Sequence, residues 1–331
     1  MTDAKKDRAV FRFILAAFLF STAMAQSSPD AHQIKLSVIV TDRQGRPAQG
    51  LREDAFQVFE EGKRQQITFF SAQETALSYG LLIDSSGSMR PAIKEAIEAT
   101  ILMLNKNKTG DETFIATMSE TSPLKPGSNP ITKPYTPTIL LGWTQDKIRL
   151  LGSTVGLAAR GRTPLLDSIY YCVEQAGKWK TDENQSRRRR AIVVITDGLE
   201  KDSYYKLDEF FNLTKKFDVQ IFALGLMEKN SPDNQWVFQR SEREKAALFL
   251  KKMTAETGGF AFFPRAMDEV RDVAARIAEL MRSQYVIGYA PPQGKKDYRK
   301  VRVAVKADDK LAVTTRPGYT LNQSANNREK R

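Results

Sequence analysis

The chain has 331 residues, of which 41% are hydrophobic and 27% charged, and its formal net charge is +12. A chain of this size and composition can bury a core and form one or two domains. A single cysteine, Cys172, excludes an internal disulfide, and the one histidine, His32, lies outside any patterned element. A zinc site built from histidine and cysteine, or catalysis by a histidine base, is therefore not expected. Carboxylates and hydroxyls are therefore the side chains expected to bind any metal.

The first 25 residues are typical of a secretory signal peptide. Four basic residues precede a short apolar segment at 13–20, and Ala23-Met24-Ala25 follows it. This pattern predicts cleavage after Ala25 and export to the periplasm, the cell envelope or the exterior. The apolar segment is short for a spanning helix, so no integral membrane segment is expected after cleavage; an uncleaved anchor is the alternative.

Two segments rich in predicted strands flank the middle of the chain, an N-terminal one at 26–76 and a C-terminal one at 284–320. The two segments either pair into one β module, into which the middle of the chain is inserted, or form two separate appendages. Residues 321–331 are polar and predicted to be disordered. Alternating apolar residues and turn signals predict strands at 33–42, 56–63, 66–70, 284–289, 299–306 and 311–316.

Between these segments, residues 77–283 alternate between strands and helices. Continuous apolar runs such as 191–195 are typical of central parallel strands that are covered on both faces. The alternation predicts an α/β domain with a doubly wound, mostly parallel, Rossmann-like sheet. After a first strand that ends at Asp84, strands are predicted at 111–118, 138–143, 191–196, 219–225 and 260–263, and helices at 92–104, 146–157, 165–179, 204–216, 242–257 and 267–283.

The net charge includes one dense cluster, the arginine run 187–190. A basic cluster invites a nucleic-acid interpretation, but no RNA-binding motif or basic repeat accompanies it. The run directly precedes an apolar strand, so we interpret it as a solvated lead-in to that strand. Because export would also separate the protein from nucleic acid, no nucleic-acid partner is expected.

The chain is organised around the stretch from Gly80 to Met89. An apolar run ends at Asp84, and Ser86 and Ser88 follow around a glycine. Three oxygen side chains on one tight loop would suit a hard divalent cation such as Mg²⁺. The alternative is that Asp84 merely ends a strand and Ser88 caps the next helix.

Two further loops carry oxygen side chains to the same edge of the predicted sheet. Thr163 lies in a glycine-bearing loop before a helix, and Asp197 directly follows the apolar run 191–195. Taken alone, Thr163 could be a helix cap before Pro164 and Asp197 a turn residue. Ligands of open α/β sheets bind at the carboxyl ends of the strands, so the three loops can converge. The predicted metal ligands are Asp84, Ser86, Ser88, Thr163 and Asp197, with Mg²⁺ as the cation and Mn²⁺ as an alternative.

Asp-x-Ser-x-Ser, Gly-x-Thr-Pro-Leu and Thr-Asp-Gly together resemble the metal-ion-dependent adhesion site (MIDAS) of the von Willebrand factor type A (VWA) domain, over roughly residues 77–283. The resemblance implies that the same five residues hold the metal, some directly and some through water. The flanking stretches 56–67 and 284–291 resemble exported bacterial VWFA-related proteins of the kind abundant in Acidobacteria.

These observations predict an exported adhesion module that is not an enzyme. Mg²⁺ commonly keeps exchangeable positions, and a protein partner could offer an Asp or Glu to one of them. Two alternatives remain open. A metal-assisted hydrolase would need a base, for which Glu200 and Asp202 are the nearby candidates. A cell-envelope scaffold would instead use the β flanks and carry a vestigial metal site.

Overall fold

A computed structural model describes residues 33–118, 133–179, 188–227, 241–294, 297–306 and 310–320. The predicted signal peptide and the predicted disordered tail lie outside these residues, as do His32 and Arg187. The domain boundaries drawn from the sequence therefore stay predictions.

A six-stranded sheet forms the centre of the α/β domain, in the spatial order β10-β9-β8-β5-β6-β7. Neighbouring strands are parallel except for the edge strand β7, which is antiparallel to β6. Numbered within the domain, this is the doubly wound order 3-2-1-4-5-6. The predicted fold class is confirmed. The strands are β5 Leu77–Asp84, β6 Glu112–Met118, β7 Thr138–Thr144, β8 Arg189–Thr196, β9 Gln220–Gly225 and β10 Ala261–Phe262.

Helices cover both faces of this sheet, which is why every residue of β5 is buried. Side chains of α1, α2 and α6 pack on one face, and those of α3, α4 and α5 on the other. Cys172 of α3 is a fully buried core residue. No helix within the described residues is both long and apolar enough to cross a membrane. The helices are α1 Ile93–Asn105, α2 Lys147–Gly152, α3 Leu165–Lys178, α4 Leu207–Thr214, α5 Glu242–Thr257 and α6 Met267–Arg282.

Strands from both sides of the α/β domain form one two-sheet unit, which we call the β module. Its first sheet has the order β13-β1-β11-β4 and its second the order β14-β12-β2-β3. Pairing of β1 with β11, and of β2 with β12, joins the two ends of the described chain. The strands are β1 Ile34–Thr41, β2 Phe56–Glu60, β3 Lys63–Gln65, β4 Ile67–Ser71, β11 Gln284–Tyr289, β12 Tyr298–Val305, β13 Ala312–Thr314 and β14 Gly318–Thr320.

The β module differs from the sequence prediction in two strands. The hairpin turns at Glu61–Gly62, where both residues have positive φ, but its return strand is the short β3. The segment predicted as the return strand, 66–70, corresponds to β4. This strand does not pair with β2 but lies in the other sheet, next to β11. Strand β14 was not predicted. Alternation of side chains identifies a strand but does not say which sheet it joins.

A buried polar cluster holds the two sheets of the β module in register. The carboxylate of Glu60, 2% exposed, accepts hydrogen bonds from Tyr289 Oη at 2.7 Å and Tyr319 Oη at 2.9 Å. Its other oxygen lies 2.8 Å from Nη1 of Arg299, which is also buried. Burial and the hydrogen bond to Glu60 raise the pKa of Tyr319 to about 12. Each charge in this cluster has a partner, as a buried ion pair requires.

The described arginines of the basic run are not solvated, so that interpretation was wrong. Arg189 is 5% exposed and donates to the backbone carbonyls of Arg282, Gln73 and Gln284. Arg188 lies 3.5 Å from Glu112 Oε2, and Arg190 donates to two carbonyls at the C-terminal end of α3. Arg189 therefore ties the start of β8 to the end of α6 and to the β module. The sequence pattern missed this because a charged side chain at a strand start is usually exposed.

Candidate metal site

The site lies where the strand order of the sheet reverses. Chain connections run from β5 to β6 on one side, and β8 lies on the other side of β5. Ile83 of β5 is in register with Ile195 of β8, so the loops after these two strands start side by side. Ligands of doubly wound folds bind in this crevice. The loop after β5 contains one glycine, Gly87, in place of the three of a dinucleotide-binding loop.

Asp84 ends β5 and is completely buried. Its Oδ1 accepts the backbone N–H of Ser86 at 2.9 Å, and its Oδ2 accepts the hydroxyl of Thr196 at 2.7 Å. No cationic side chain in the described part of the chain pairs with it. Burial, and then the negative charge of Asp197, raises the pKa of Asp84 to about 7. A buried carboxylate of this kind is short of positive charge.

The two serines of the first loop do not cap a helix. Ser86 is buried, and its Oγ lies 3.1 Å from the Oγ of the exposed Ser88. Ser88 belongs to the 3-10 turn Gly87–Met89, whereas α1 has Ala92 at its N-cap and no capping side chain. The capping interpretation of Ser88 was therefore wrong. Both hydroxyls have lone pairs to offer to a ligand.

The second loop brings in Thr163, which is 2% exposed. The N-cap of α3 is Pro164, and the N–H of Leu166 in the first turn donates to Glu200 at 2.8 Å, so Thr163 is not the cap of this helix. Backbone hydrogen bonds fix the loop against the first loop, from Gly87 N to Gly161 O at 2.9 Å and from Arg160 N to Ser85 O at 2.7 Å.

The third loop follows β8 and carries Asp197. The Oδ1 of Asp197 accepts the N–H of Leu199 at 2.9 Å, which leaves its other oxygen for the crevice. The next residue, Gly198, has a φ of +79°, and a Cβ there would lie 3.1 Å from side-chain atoms of Ala246 and Leu250. The positive φ favours glycine, and a Cβ at this position would crowd both neighbours. Lys201 N donates to Thr163 O at 2.8 Å and so ties this loop to the second.

Two residues that support the site were not assigned a role from the sequence. Thr196 donates to Asp84 and accepts the N–H of Gly198 at 2.9 Å, which links the first and third loops. Asp167 is 1% exposed and accepts backbone N–H groups of Tyr135, Tyr204 and Tyr205 at 2.8–3.0 Å. Thr196 lies inside the Thr-Asp-Gly motif, and Asp167 lies two residues after the Gly-x-Thr-Pro-Leu motif; the sequence does not show the hydrogen-bond partners of either residue.

The residues at this crevice fit a divalent cation. The described residues contain no cluster of three or more His, Cys, Asp or Glu that could hold a metal. The donor set is instead two carboxylates, Asp84 and Asp197, with hydroxyls from Ser86, Ser88 and Thr163. Two carboxylates and neutral oxygens, with room for water, match the preference of Mg²⁺. A bound cation would supply the positive charge that Asp84 lacks.

No protein-family model matches the chain, and no curated protein matches it. Solved structures do match at low similarity. A von Willebrand factor type A protein from Catenulispora acidiphila is 13% identical, with a TM-score of 0.45, over 90% of this chain and 76% of that one. An aerotolerance-related membrane protein from Bacteroides fragilis is 14% identical, with a TM-score of 0.40, over 61% and 98%.

A third solved structure is the proximal thread matrix protein 1 of the mussel byssus with a zinc-occupied MIDAS motif, 11% identical, with a TM-score of 0.44, over 69% of this chain and 50% of that one. At these values the similarities carry no argument by themselves. The strand order and the antiparallel edge strand give the α/β domain the doubly wound, mostly parallel fold that the sequence resemblance implies.

Proposed function

We propose that this protein is an exported binding protein that holds a divalent cation, Mg²⁺ before Mn²⁺, and binds a partner protein through an Asp or Glu of that partner. The observation that carries the proposal is the buried carboxylate of Asp84, which has no cationic partner among the described residues and faces hydroxyls that cap no helix. A cation held there keeps exchangeable positions for an acidic side chain.

The surrounding acidic residues favour binding over hydrolysis. The carboxylate of Glu200 accepts the N–H groups of Leu166 and Ser203 at 2.8 and 3.0 Å. Asp202 forms an ion pair with Arg162 at 3.1 Å. A general base must lie within hydrogen-bond reach of the attacking water, and these contacts hold both candidate bases in loop structure. We therefore propose that the protein is not an enzyme.

Calorimetric titration with Mg²⁺ and Mn²⁺ tests the metal site. We expect the wild-type protein to bind one cation and Asp84→Asn to lose that binding. Asp146→Asn is the matched control, because Asp146 caps α2 through the N–H groups of Ile148 and Arg149 and asparagine caps a helix equally well. Equal cation binding by all three proteins would contradict the proposed metal site.

Affinity capture of cell-envelope proteins, with and without EDTA, tests the partner. A partner that is released by EDTA and not captured by Asp84→Asn would agree with the proposal. A partner retained under both conditions would instead favour the scaffold alternative, in which the β module provides the contact. EDTA-sensitive turnover of a phosphoester or peptide would favour the hydrolase.

A further inference from the structure

A cavity of about 490 Å³ opens directly beside the candidate metal site, with Ser88 and Asp197 in its wall. The loops after β5, β8 and β9 contribute to it, together with the starts of α5 and α6. This volume lies within the range of pockets that take small ligands. A partner segment whose carboxylate binds the metal would therefore also contact the wall of this cavity.

Two exposed arginines lie in the same wall. Arg243 is in the first turn of α5, and Arg265 lies two residues before α6. Within the described residues, neither guanidinium has an ion-pair or hydrogen-bond partner. Because α5 and α6 pack on opposite faces of the sheet, the two cations reach the cavity from separate elements. Both are available to a ligand that occupies it.

The acidic residues of the wall offer less to a ligand. The exposed Glu242 pairs with Lys245 at 2.7 Å. Glu95 is half-buried, and its Oε2 is buried. Asp197 belongs to the candidate metal site. The charged residues of the wall that are both exposed and unpaired are therefore the two arginines, and a cation bound at the site would add positive charge beside them.

The chemistry of a guanidinium group indicates which side chain it would bind. Arginine binds carboxylates through two parallel charge-assisted hydrogen bonds, a geometry that neutral amides and ammonium groups do not match. Complementary charge also steers the encounter of two proteins and disfavours partners of like charge. An acidic side chain in the cavity would satisfy the arginines, whereas a basic side chain would be repelled.

We propose that the partner segment carries a second acidic residue, close in sequence to the one that binds the metal, and that Arg243 and Arg265 bind this second carboxylate. The inference rests on the proposed function, since the first carboxylate on the metal brings its neighbours into the cavity. The preferred partner is then an acidic segment with at least two carboxylates, in place of a single acid among neutral or basic residues.

Defined peptides test this specificity with the purified protein in saturating Mg²⁺. The probes are acetylated, amidated peptides with one Asp and one Glu separated by zero to three glycines, and matched peptides with Gln or Lys in place of Glu. Binding is followed by shifts in ¹⁵N–¹H NMR spectra up to millimolar peptide. At the best spacing and low salt, we expect the Glu peptide to bind about fivefold more tightly than the Gln peptide, the upper end of the effect of an exposed ion pair. The Lys peptide should bind most weakly, and salt should reduce these differences.

The double variant Arg243→Gln/Arg265→Gln should still bind Mg²⁺ but prefer the Glu peptide by about twofold or less, the statistical advantage of a second acid for the metal. The matched control is Arg149→Gln/Arg271→Gln, which removes the same charge from two exposed arginines outside the cavity wall. This control should keep the full preference. Thermal melting of each variant shows that it is folded.

The outcomes separate this inference from the proposed function. Equal binding of the Glu and Gln peptides, both dependent on Mg²⁺, would overturn the role of the two arginines and leave the metal-dependent function intact. A full preference for Glu in the double variant would do the same. Absence of any Mg²⁺-dependent peptide binding would contradict both proposals.

Discussion

Two of the buried carboxylates, Glu60 and Asp84, have contrasting surroundings. Glu60, in the β module, accepts from two tyrosine hydroxyls and pairs with Arg299. Asp84, in the α/β domain, accepts one backbone N–H and one hydroxyl and has no described cationic partner, and the pKa of its carboxyl is raised to about 7. Residues of the chain itself compensate the charge of Glu60, and this cluster stabilises the fold. We infer that the charge of Asp84 is compensated by a bound cation. A buried acid that the fold leaves uncompensated is a candidate for function.

Breaking the complete cluster should have the largest effect. Glu60→Ala leaves Arg299 buried without its carboxylate, and we expect a loss of about 3–5 kcal/mol in the free energy of unfolding, measured by urea denaturation. Glu60→Gln keeps acceptors for the tyrosines and should lose less. A loss below about 1 kcal/mol for the alanine variant would contradict the role of this cluster in holding the two sheets of the β module together.

Binding of a cation at the proposed site should stabilise the protein. At a Mg²⁺ concentration about 100 times its dissociation constant, we expect the free energy of unfolding to rise by about 2.7 kcal/mol, since only the folded state presents the site. Thermal or urea unfolding with Mg²⁺ and with EDTA measures the difference. Glu60→Gln should keep the increment, and Asp84→Asn should lose it; an increment retained by Asp84→Asn would place the cation elsewhere.

Removing the uncompensated charge should have the opposite sign from removing Glu60. The folded-state pKa of Asp84, about 7, lies above its ordinary value of 3.8, so ionisation opposes folding and metal-free stability falls as pH rises through this interval. In EDTA at pH 8, Asp84→Asn should therefore stabilise the protein by about 1–2 kcal/mol. A destabilised variant under these conditions would show that the charge is already compensated.

The same raised pKa makes metal binding sensitive to pH. Protons compete with the cation for Asp84, so apparent Mg²⁺ affinity should fall about tenfold from pH 8 to pH 6. Calorimetric titrations at three pH values, at constant ionic strength, measure this. A flat profile would indicate that Asp84 is ionised throughout the range.

Removal of an exposed ion pair should change the free energy of unfolding least. Lys178 lies 2.7 Å from Glu174 one turn away on α3, and its side chain is 64% exposed. Lys178→Ala should change the free energy of unfolding by less than about 0.5 kcal/mol, because water and salt screen such pairs. A larger change would weaken the contrast between exposed and buried charges that underlies the other predictions.

Much of the α/β domain could be predicted because its signals are local. Apolar runs located β5, β8 and β9, and oxygen side chains at two of their ends located Asp84 and Asp197. Strand order at the switch point then brings their loops together. Whether this set binds metal stays a prediction, since it rests on donor chemistry and hydrogen bonds.

The remaining features depend on tertiary contacts that no local pattern contains. Arg189 looks like a surface residue in the sequence, yet three backbone carbonyls from two distant segments accept its hydrogen bonds. Strand β4 follows β3 after a single residue but joins the opposite sheet.

The insertion of the α/β domain determines which hydrogen bonds would bear a force applied at the site. Its entry and exit strands, β4 and β11, are hydrogen-bonded neighbours, with Ser71 opposite Val286. They lie at the amino end of β5, and an eight-residue strand separates this end from the site by roughly 25 Å. A force applied through a partner bound at the site would be transmitted to β4 and β11 together, in the same direction. The load would then fall in shear on the antiparallel hydrogen bonds between β11 and β1, from Ile34–Tyr289 to Ile39–Gln284.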